Sequence, residues 1–239
     1  AGAHQLDDGD DLQNGFEFRR LRFRIDGNAI SPNLTYSFVW DVNRSGGGVT
    51  ILDAWAKYHF NPDWAIKVGQ FKDPVHHERL LSAFSLQAVE RTLVESLIGG
   101  NLTDRVQCVS VIYGDYAKNN PLYAEIAFHD GANSKNTDFR DATPNATAGL
   151  PPTYQADYGV AGRVEYKFFG DWKDYRDYTA KGAKNDLLVV GAGVDYTQRD
   201  TSDQILPTAD SQWKSPDGWA AYAEVYVRDI EFRNTNNDS

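Results

Sequence analysis

The sequence predicts an all-β fold, specifically an antiparallel up-and-down transmembrane β-barrel. Three observations predict it. Apolar and polar side chains alternate over one segment after another, which is the period of a β-strand. Aromatic residues stand near the ends of many apolar faces, and charged residues occupy the middle of the opposite faces. A lipid-facing band around a wet interior requires both features. The strands of a soluble two-layer sandwich would also alternate apolar and polar side chains. The positions of the aromatic residues favour a membrane barrel over such a sandwich.

Nine segments carry this alternation. In the first, residues 15–27, the apolar Leu21, Phe23 and Ile25 alternate with arginines. Several charges on one face indicate that this face contacts water. The other segments are 34–42, 49–60, 64–72, 105–115, 121–130, 156–168, 186–198 and 218–229.

The second and third segments show the aromatic ends most clearly. Tyr36 and Trp40 border one apolar face, and Tyr58 and Phe60 border the other. In the fourth segment, Lys67 lies opposite the apolar face. The fifth segment has less distinct faces, and its Cys108 is most simply a small strand residue.

The later segments place acidic and basic residues inside strands. Arg163 and Glu165 share a face in the seventh segment, Asp195 lies in the eighth and Glu224 in the ninth. Each such charge would be expensive in a dry core and costs little in a water-filled lumen.

The predicted connections fall into two groups. Turns after odd-numbered strands are short, such as 28–33 and 61–63, whereas those after even-numbered strands include the long segments 73–104 and 131–155. Short turns on one side and long loops on the other are typical of a barrel inserted from the periplasm.

Composition excludes several other classes of protein. The 239 residues carry 34 acidic and 24 basic side chains, for a net charge of −10, which argues against a nucleic-acid partner. A single cysteine excludes a disulfide scaffold, and no Cys/His cluster has the spacing of a zinc site, so no cofactor is expected. No apolar run reaches the roughly 18 residues of a membrane helix, and the mean hydropathy of −0.55 fits a soluble domain and a barrel equally.

The segment 73–104 contains two groups of residues that resemble known kinds of functional site. His76-His77-Glu78 invites a metal site, but adjacent loop residues present no common face, so a solvated loop is predicted. Glu78 and Glu90 resemble an acid/base pair for glycoside hydrolysis. Because nothing in the sequence supplies a substrate cleft around them, the prediction is that the protein is not an enzyme.

Four motifs resemble those of the phosphate-selective porins O and P. They are Phe18–Gly27, Leu52-Asp53-Ala54-Trp55, Val68–Pro74 and Val89-Glu90-Arg91. In that family an early strand reads Arg-Arg-Ala-Arg, a later one reads Gly-Gln-Phe-Lys-x-Pro, and a Glu-Arg pair falls in the long third loop. The resemblance covers residues 16–115 well, and the remainder agrees only in strand spacing.

The resemblance implies a homotrimeric channel of about 16 strands in a bacterial outer membrane, whose third extracellular loop folds into the lumen. It implies passive diffusion of small hydrophilic solutes, including anions such as phosphate. Residues 73–104 would form the constriction of a single barrel domain, residues 1–239. The residues expected to line the pore or constriction are Arg20, Arg22, Arg24, Lys57, Lys67, Lys72, Arg79, Glu90, Arg91 and Arg105.

The sequence leaves the ion selectivity open, because acidic residues face these cations. Charges of both signs in a lumen orient polar solutes without selecting an anion. The acidic residues are Asp41, Asp53, Glu78, Glu90, Asp195 and Glu224. The early arginines could instead pair with Asp41 and Asp53 across neighbouring strands.

Two other functions stay open: a soluble or surface β-sheet protein that binds a glycan or a protein partner, and a structural barrel of the envelope. Nine is an odd strand number, whereas bacterial single-chain barrels close with an even one. The sequence is therefore expected to be part of a longer chain.

Overall fold

The computed structural model describes residues 21–42, 47–88, 91–95, 105–132, 156–199 and 202–233. These residues form eleven antiparallel strands in one sheet and two short helices. The strands are β1 (Arg22–Asn28), β2 (Leu34–Val42), β3 (Val49–His59), β4 (Trp64–Lys72), β5 (Arg105–Tyr113), β6 (Leu122–His129), β7 (Tyr158–Phe169), β8 (Leu187–Gln198), β9 (Ser202–Lys214), β10 (Ala220–Tyr226) and β11 (Asp229–Phe232). The helices are α1 (His77–Leu80) and a 3₁₀-helix (Asp174–Arg176).

Each strand pairs with the next along the chain from β1 to β10, so the predicted all-β, antiparallel up-and-down fold is confirmed. Within the described residues the sheet does not close, and β1 lies at one edge. The other edge is shared by β10 and β11, which pair with successive stretches of β9.

The count of nine strands was wrong, because the alternation in β9 and the short β11 were missed. The inward face of β9 is almost entirely polar, and Pro207 interrupts its outward face. Because β10 and β11 lie end to end along β9, the described sheet has ten strand positions. The strand number therefore no longer supports a longer chain, and that expectation stays a prediction.

The two faces of the sheet differ sharply. On the outer face, large apolar side chains are exposed: Phe23 is 57% exposed, Val68 51% and Ile126 60%. On the inner face, charged side chains such as Glu165 and Asp195 are buried. This arrangement is inverted relative to a soluble protein and is the one that a lipid-facing strand wall requires.

The predicted division of short and long connections holds only for the first half of the sheet. The turns 29–33 and 60–63 are short and the connection 73–104 is long. After β7, however, the connection 170–186 is long, and the turn 199–201 after β8 is short. Residues 170–186 are not a free loop, because they fold onto the inner face and bury Trp172 and Tyr175 there.

The core lies on the inner face in two apolar clusters. One packs Trp172 and Tyr175 against Ala65, Ile112, Tyr123, Leu187 and Val189. The other consists of Phe71, Val106, Cys108 and Ala127, with Trp55 packed against it. No helix in the described part of the chain is both long enough and apolar enough to cross a membrane.

Candidate functional site

The chain that follows β4 crosses the inner face of the sheet. The carbonyl oxygen of Val75 accepts hydrogen bonds from Arg163 Nη1 of β7 at 2.8 Å and from Thr208 Oγ1 of β9 at 3.1 Å. The same carbonyl lies so close to β8 that a Cβ on Gly193 would be 2.1 Å from it. A glycine is therefore required at Gly193, and the segment is fixed against three strands.

His76, His77 and Glu78 continue this segment, and all three are buried. The prediction of a solvated loop here was wrong. His77 Nε2 lies 2.9 Å from Gln212 Oε1, and its ring stacks on Tyr175 with centroids 3.9 Å apart. Burial lowers the pKa of His77 well below its ordinary value, so the ring is neutral and serves packing.

The rest of the inward segment is held together by its own charged groups. The Glu78 carboxylate accepts from the backbone N–H and the hydroxyl of Thr92, each at 2.8 Å. Arg91 donates to the carbonyl oxygens of Glu78, Arg79 and Leu81. Arg79 in turn pairs with Glu95 at 3.1 Å. The charges of Arg79 and Arg91 thus point into the loop.

The segment 170–186 covers part of the inner face from β4 to β9. Trp172 Nε1 donates to the carbonyl oxygen of Asn120 at 2.7 Å, and Lys214 Nζ pairs with Asp177 at 2.7 Å. The hydroxyl of Tyr175 joins a buried network centred on Arg163. This half of the interior is therefore packed.

The network around Arg163 is fully enclosed. Its guanidinium contacts Glu165 at 2.6 Å and Asp210 at 2.7 Å, with no exposure of the Arg163 side chain. Charge-assisted pairs of this kind are stable in a dry environment only when their partners are complete. The three strands β7, β8 and β9 are locked together by it, since the guanidinium also lies against Gly191 of β8.

The other half of the interior is open. A cleft of about 340 Å³ lies between the inner face of β1–β5 and the segment that follows α1. Its charged lining comprises five basic residues and one acidic residue: Arg22, Arg24, Lys67, Lys72, Arg105 and Asp53. The remaining lining residues are Ser37, Val39, Trp55, Phe71, Leu80, Ser82, Ala83 and Phe84.

Four of these cations are paired with carboxylates, one of them within its own strand, where Arg24 Nε lies 2.5 Å from Asp26. Arg105 Nε lies 2.9 Å from Asp53, Lys67 Nζ lies 2.9 Å from Glu125, and Arg22 Nε lies 3.5 Å from Asp41. The predicted pairing of Arg22 with Asp41 is thus present, whereas Asp53 pairs with Arg105 of β5.

Lys72 differs from these paired cations. Its Nζ donates to the carbonyl oxygens of Leu80 at 3.1 Å and Leu81 at 2.7 Å. Among the described residues no carboxylate lies within ion-pair distance of it. The cleft therefore has more positive than negative charge on its walls.

The sequence of the chain matches one known family. The sequence model described as phosphate-selective porin O and P matches residues 2–227, nearly the whole chain. The chain belongs to this family. The match extends well beyond residues 16–115, on which the sequence resemblance rested. A search of curated proteins finds no match.

Proteins of porin families are channels, and the residues predicted to line this porin's lumen fall into three groups. Those in the cleft are Arg22, Arg24, Lys67, Lys72 and Arg105. Lys57 lies on the inner face of β3, in register with Lys67 but outside the cleft lining. Arg79 and Arg91 lie within the loop, and Arg20 and Glu90 fall outside the described residues. The roles of all these residues in permeation stay predictions.

One further cluster of this porin has the composition of a metal site. Ligand atoms of Asp73, His129 and Asp195 lie within 4.8 Å of one another, and all three residues are buried. However, His129 Nδ1 accepts the Gly131 N–H at 3.0 Å, so the ring proton is on Nε2, which lies 2.9 Å from Asp195 Oδ2. A metal on Nε2 would need that proton removed and Nδ1 protonated against the Gly131 N–H.

The carboxyl of Asp73 completes this cluster. Its two oxygens accept no hydrogen bond from the described residues. Burial and the charge of Asp195 raise the pKa of Asp73 well above its ordinary value. Asp73 therefore binds its proton more tightly than a solvent-exposed carboxyl does, at the root of the inward segment.

Sequence reasoning missed two parts of the site. The segment 170–186 has no periodicity and contains several charged residues, so it looks like an ordinary loop. The apolar lining from Phe71 and Phe84 was also missed. Trp55 alternates with Ala54 and Ala56 in the sequence, which was a usable signal for an aromatic side chain on the inner face.

Proposed function

We propose that the chain forms a channel in a bacterial outer membrane through which small hydrophilic solutes diffuse passively, with a preference for anions. The observation that carries this proposal is the cleft beside β1–β5, where five cations and one carboxylate line the open half of the interior. Positive lining lowers the electrostatic barrier for an anion and raises it for a cation.

The path of the solute follows from the packing. The inner face from β6 to β9 is covered by residues 170–186 and by the buried segment at Val75–His77. The cleft is the polar passage left between the loop and the strand wall. In this proposal residues 1–239 form one barrel domain, and residues 73–104 are its constriction.

The family also suggests how the channel is assembled. We extend the proposal to a homotrimer embedded in the lipid bilayer, with no nucleic-acid partner and no enzymatic activity. The exposed apolar side chains of the outer face support contact with lipid, because they have no reason to be exposed in a soluble sheet protein that binds a glycan.

A single-channel experiment tests this function. The purified protein is inserted into a planar bilayer with a potassium chloride gradient, and the reversal potential is measured. We expect stepwise conductance and a reversal potential of the sign that chloride permeation produces. A cation-selective channel would contradict the proposal, and a protein without conductance would favour the structural barrel instead.

Two matched variants assign the selectivity to the cleft. Arg24→Gln removes a guanidinium that lines the cleft and whose side chain is 64% exposed, so the fold should be preserved and the reversal potential should move toward zero. Lys184→Gln removes an exposed lysine from a separate cavity beside Trp172 and should leave the reversal potential unchanged. Equal shifts in both variants would count against the cleft as the path.

A further inference from the structure

The inward segment that follows β4 leaves the strand wall at a buried cluster of titratable side chains. Asp73 comes directly after β4, His129 ends β6 and Asp195 lies in β8, and all three are 0% exposed. Ligand atoms of the three side chains lie within 4.8 Å of one another. Two carboxyl groups therefore share one imidazole at a place without access to solvent.

The two members of this cluster that belong to the wall are fixed. A Cβ on Gly159 of β7 would lie 2.1 Å from His129 Cε1, so the ring rests on β7, and its Nδ1 accepts the Gly131 N–H at 3.0 Å. Asp195 Oδ1 accepts from the Thr197 hydroxyl at 2.9 Å, and Asp195 Oδ2 lies 2.9 Å from His129 Nε2. Neither side chain can move without losing contacts with the wall.

The third member, Asp73, is not held in this way. Its two carboxyl oxygens make no hydrogen bond within the part of the chain that the structure describes. It is also the member of the cluster that belongs to the inward segment. A change of charge at Asp73 therefore acts on the position of this segment rather than on the wall.

The groups around Asp73 offer it little positive charge. On its own side, Lys72 is bound to two carbonyl oxygens at the end of α1. On the wall, Lys67 is paired with Glu125 at 2.9 Å. The titratable groups that face Asp73 from the wall are Asp195 of β8, Glu125 and His129 of β6, Asp130 directly after β6, and Cys108 of β5.

A second negative charge in this cluster is costly. An ionised carboxylate without water is stable only beside a cation or hydrogen-bond donors of its own. The imidazole of His129 already lies against Asp195, and burial together with the charge of Asp195 raises the pKa of Asp73 well above its ordinary value. The neutral carboxyl of Asp73 fits the buried position, whereas the ionised form is more stable in water.

We propose that Asp73 is a pH-sensitive latch of the constriction, whose neutral carboxyl keeps the root of the inward segment against the wall and whose ionisation releases it into the lumen. This inference rests on the proposed function, because it names a regulation of the same channel. The hydrogen bonds from Arg163 and Thr208 to the Val75 carbonyl oxygen oppose the release. Because the pKa of Asp73 is raised in the folded protein, the latch holds at low pH and is lost as the pH rises through that pKa.

The conductance at different pH values tests the latch. Single-channel currents of the wild type are recorded in potassium chloride from about pH 4 to about pH 9, a range that begins near the ordinary carboxyl pKa of 3.8. We expect a small, quiet conductance at the acid end and a larger, noisier one at the alkaline end. Asp73→Asn keeps the shape of the neutral carboxyl and cannot ionise, so it should keep the small conductance at every pH.

Asp217→Asn is the matched control. Asp217 is exposed in the turn between β9 and β10, and the substitution likewise replaces a carboxylate with an amide. This variant should keep the pH response of the wild type. A wild-type conductance that does not change with pH overturns the inference, and so does an Asp73→Asn channel that responds to pH as the wild type does.

A second measurement does not depend on conductance. Hydrogen–deuterium exchange of the backbone amides of residues 73–81 is compared between the wild type and Asp73→Asn, both refolded in detergent, at the same pH. Exchange reports local opening of the chain. At alkaline pH the wild type should exchange several-fold faster than Asp73→Asn, and at acid pH the two should match. Equal exchange at both pH values overturns the inference.

The possible results separate the two proposals. An anion-selective channel whose conductance and exchange do not depend on Asp73 overturns the inference and leaves the proposed function standing. A protein without anion-selective conductance overturns the proposed function, and the exchange measurement then still decides whether Asp73 holds the inward segment.

Discussion

Arg163 is the residue on which the packed half of the interior depends most. Its guanidinium joins Glu165, Asp210, the Tyr175 hydroxyl and the Val75 carbonyl, with no exposure of its side chain. Removal of one partner from a buried ion network leaves uncompensated charge, which costs about 3–5 kcal/mol. We predict that Arg163→Ala lowers the free energy of unfolding by this amount.

A guanidinium titration of the refolded protein in detergent measures the change. Arg24→Ala is the matched control, because the Arg24 side chain is 64% exposed and its pair with Asp26 lies at the surface. Exposed pairs contribute about 0–1 kcal/mol. Equal losses in the two variants would show that the Arg163 network does not hold the strands together.

His76 gives the inward segment a dependence on pH. Burial, together with the positive charges of Arg79, Arg163 and Arg91, lowers its pKa from 6.5 to about 3. Between pH 6.5 and about 3 the folded state therefore binds fewer protons than the unfolded state. The contribution of neutral His76 is complete above pH 6.5 and is lost as the pH falls toward 3, by up to about 1.4 kcal/mol per pH unit.

The prediction is that His76→Gln makes the free energy of unfolding less dependent on pH between 6 and 4, as measured by denaturant titrations across that range. The raised pKa of Asp73 acts in the opposite direction, but it is common to both proteins, so the difference between them reports His76. Identical pH slopes would show that His76 is protonated in the folded protein.

Among the elements, the segment that follows β4 owes its position to a glycine in β8. A Cβ at Gly193 would lie 2.1 Å from the Val75 carbonyl oxygen, an impossible contact. We predict that Gly193→Ala displaces the inward segment and gives a channel with larger and noisier conductance than the wild type. Single-channel recording is the measurement.

Gly162→Ala is the control for this change. It also adds a methyl group to a strand glycine, but its Cβ would lie 3.6 Å from the nearest atom, the Glu125 carbonyl oxygen, which is ordinary contact. Its conductance should equal that of the wild type. An unchanged Gly193→Ala channel would mean that the loop does not set the size of the opening.

The elements also show what sequence alone can predict. Strands with an apolar outer face, such as β7 and β8, were predictable because lipid demands strict alternation. The strand β9 was missed because its inner face is polar and its outer face is only weakly apolar, so the two faces differ little in the sequence. Residues 170–186 could not be placed because their position depends on tertiary contacts of Trp172 and Tyr175 rather than on a local period.

The candidate site also has residues that the sequence could predict and residues that it could not. The cleft cations of β1 and β4 were predictable, because alternation fixes which face carries Arg22, Arg24 and Lys67, whereas Arg105 was expected only from the family resemblance. The loop cations were not, because loop side chains have no period. Arg91 was expected in a filter, and the structure shows its guanidinium bound to three carbonyl oxygens of its own loop.

The whole molecule combines an apolar outer face with an interior divided into a packed half and an open half. The packed half contains complete networks such as that of Arg163, so it serves stability. The open half is the cleft, whose cations lie between the inner face of β1–β5 and the loop after α1. The central claim is that solutes pass through this cleft.

Charge placed in the cleft tests that claim most directly. Ser82 is exposed and lines the cleft, whereas Lys184 is exposed in the separate cavity beside Trp172. Each is changed to cysteine in a Cys108→Ala background, and the channel is treated with a small anionic thiol reagent during current recording. We predict that modification of Ser82→Cys reduces the anion current sharply and that modification of Lys184→Cys does not. An undiminished current through modified Ser82→Cys channels would contradict it.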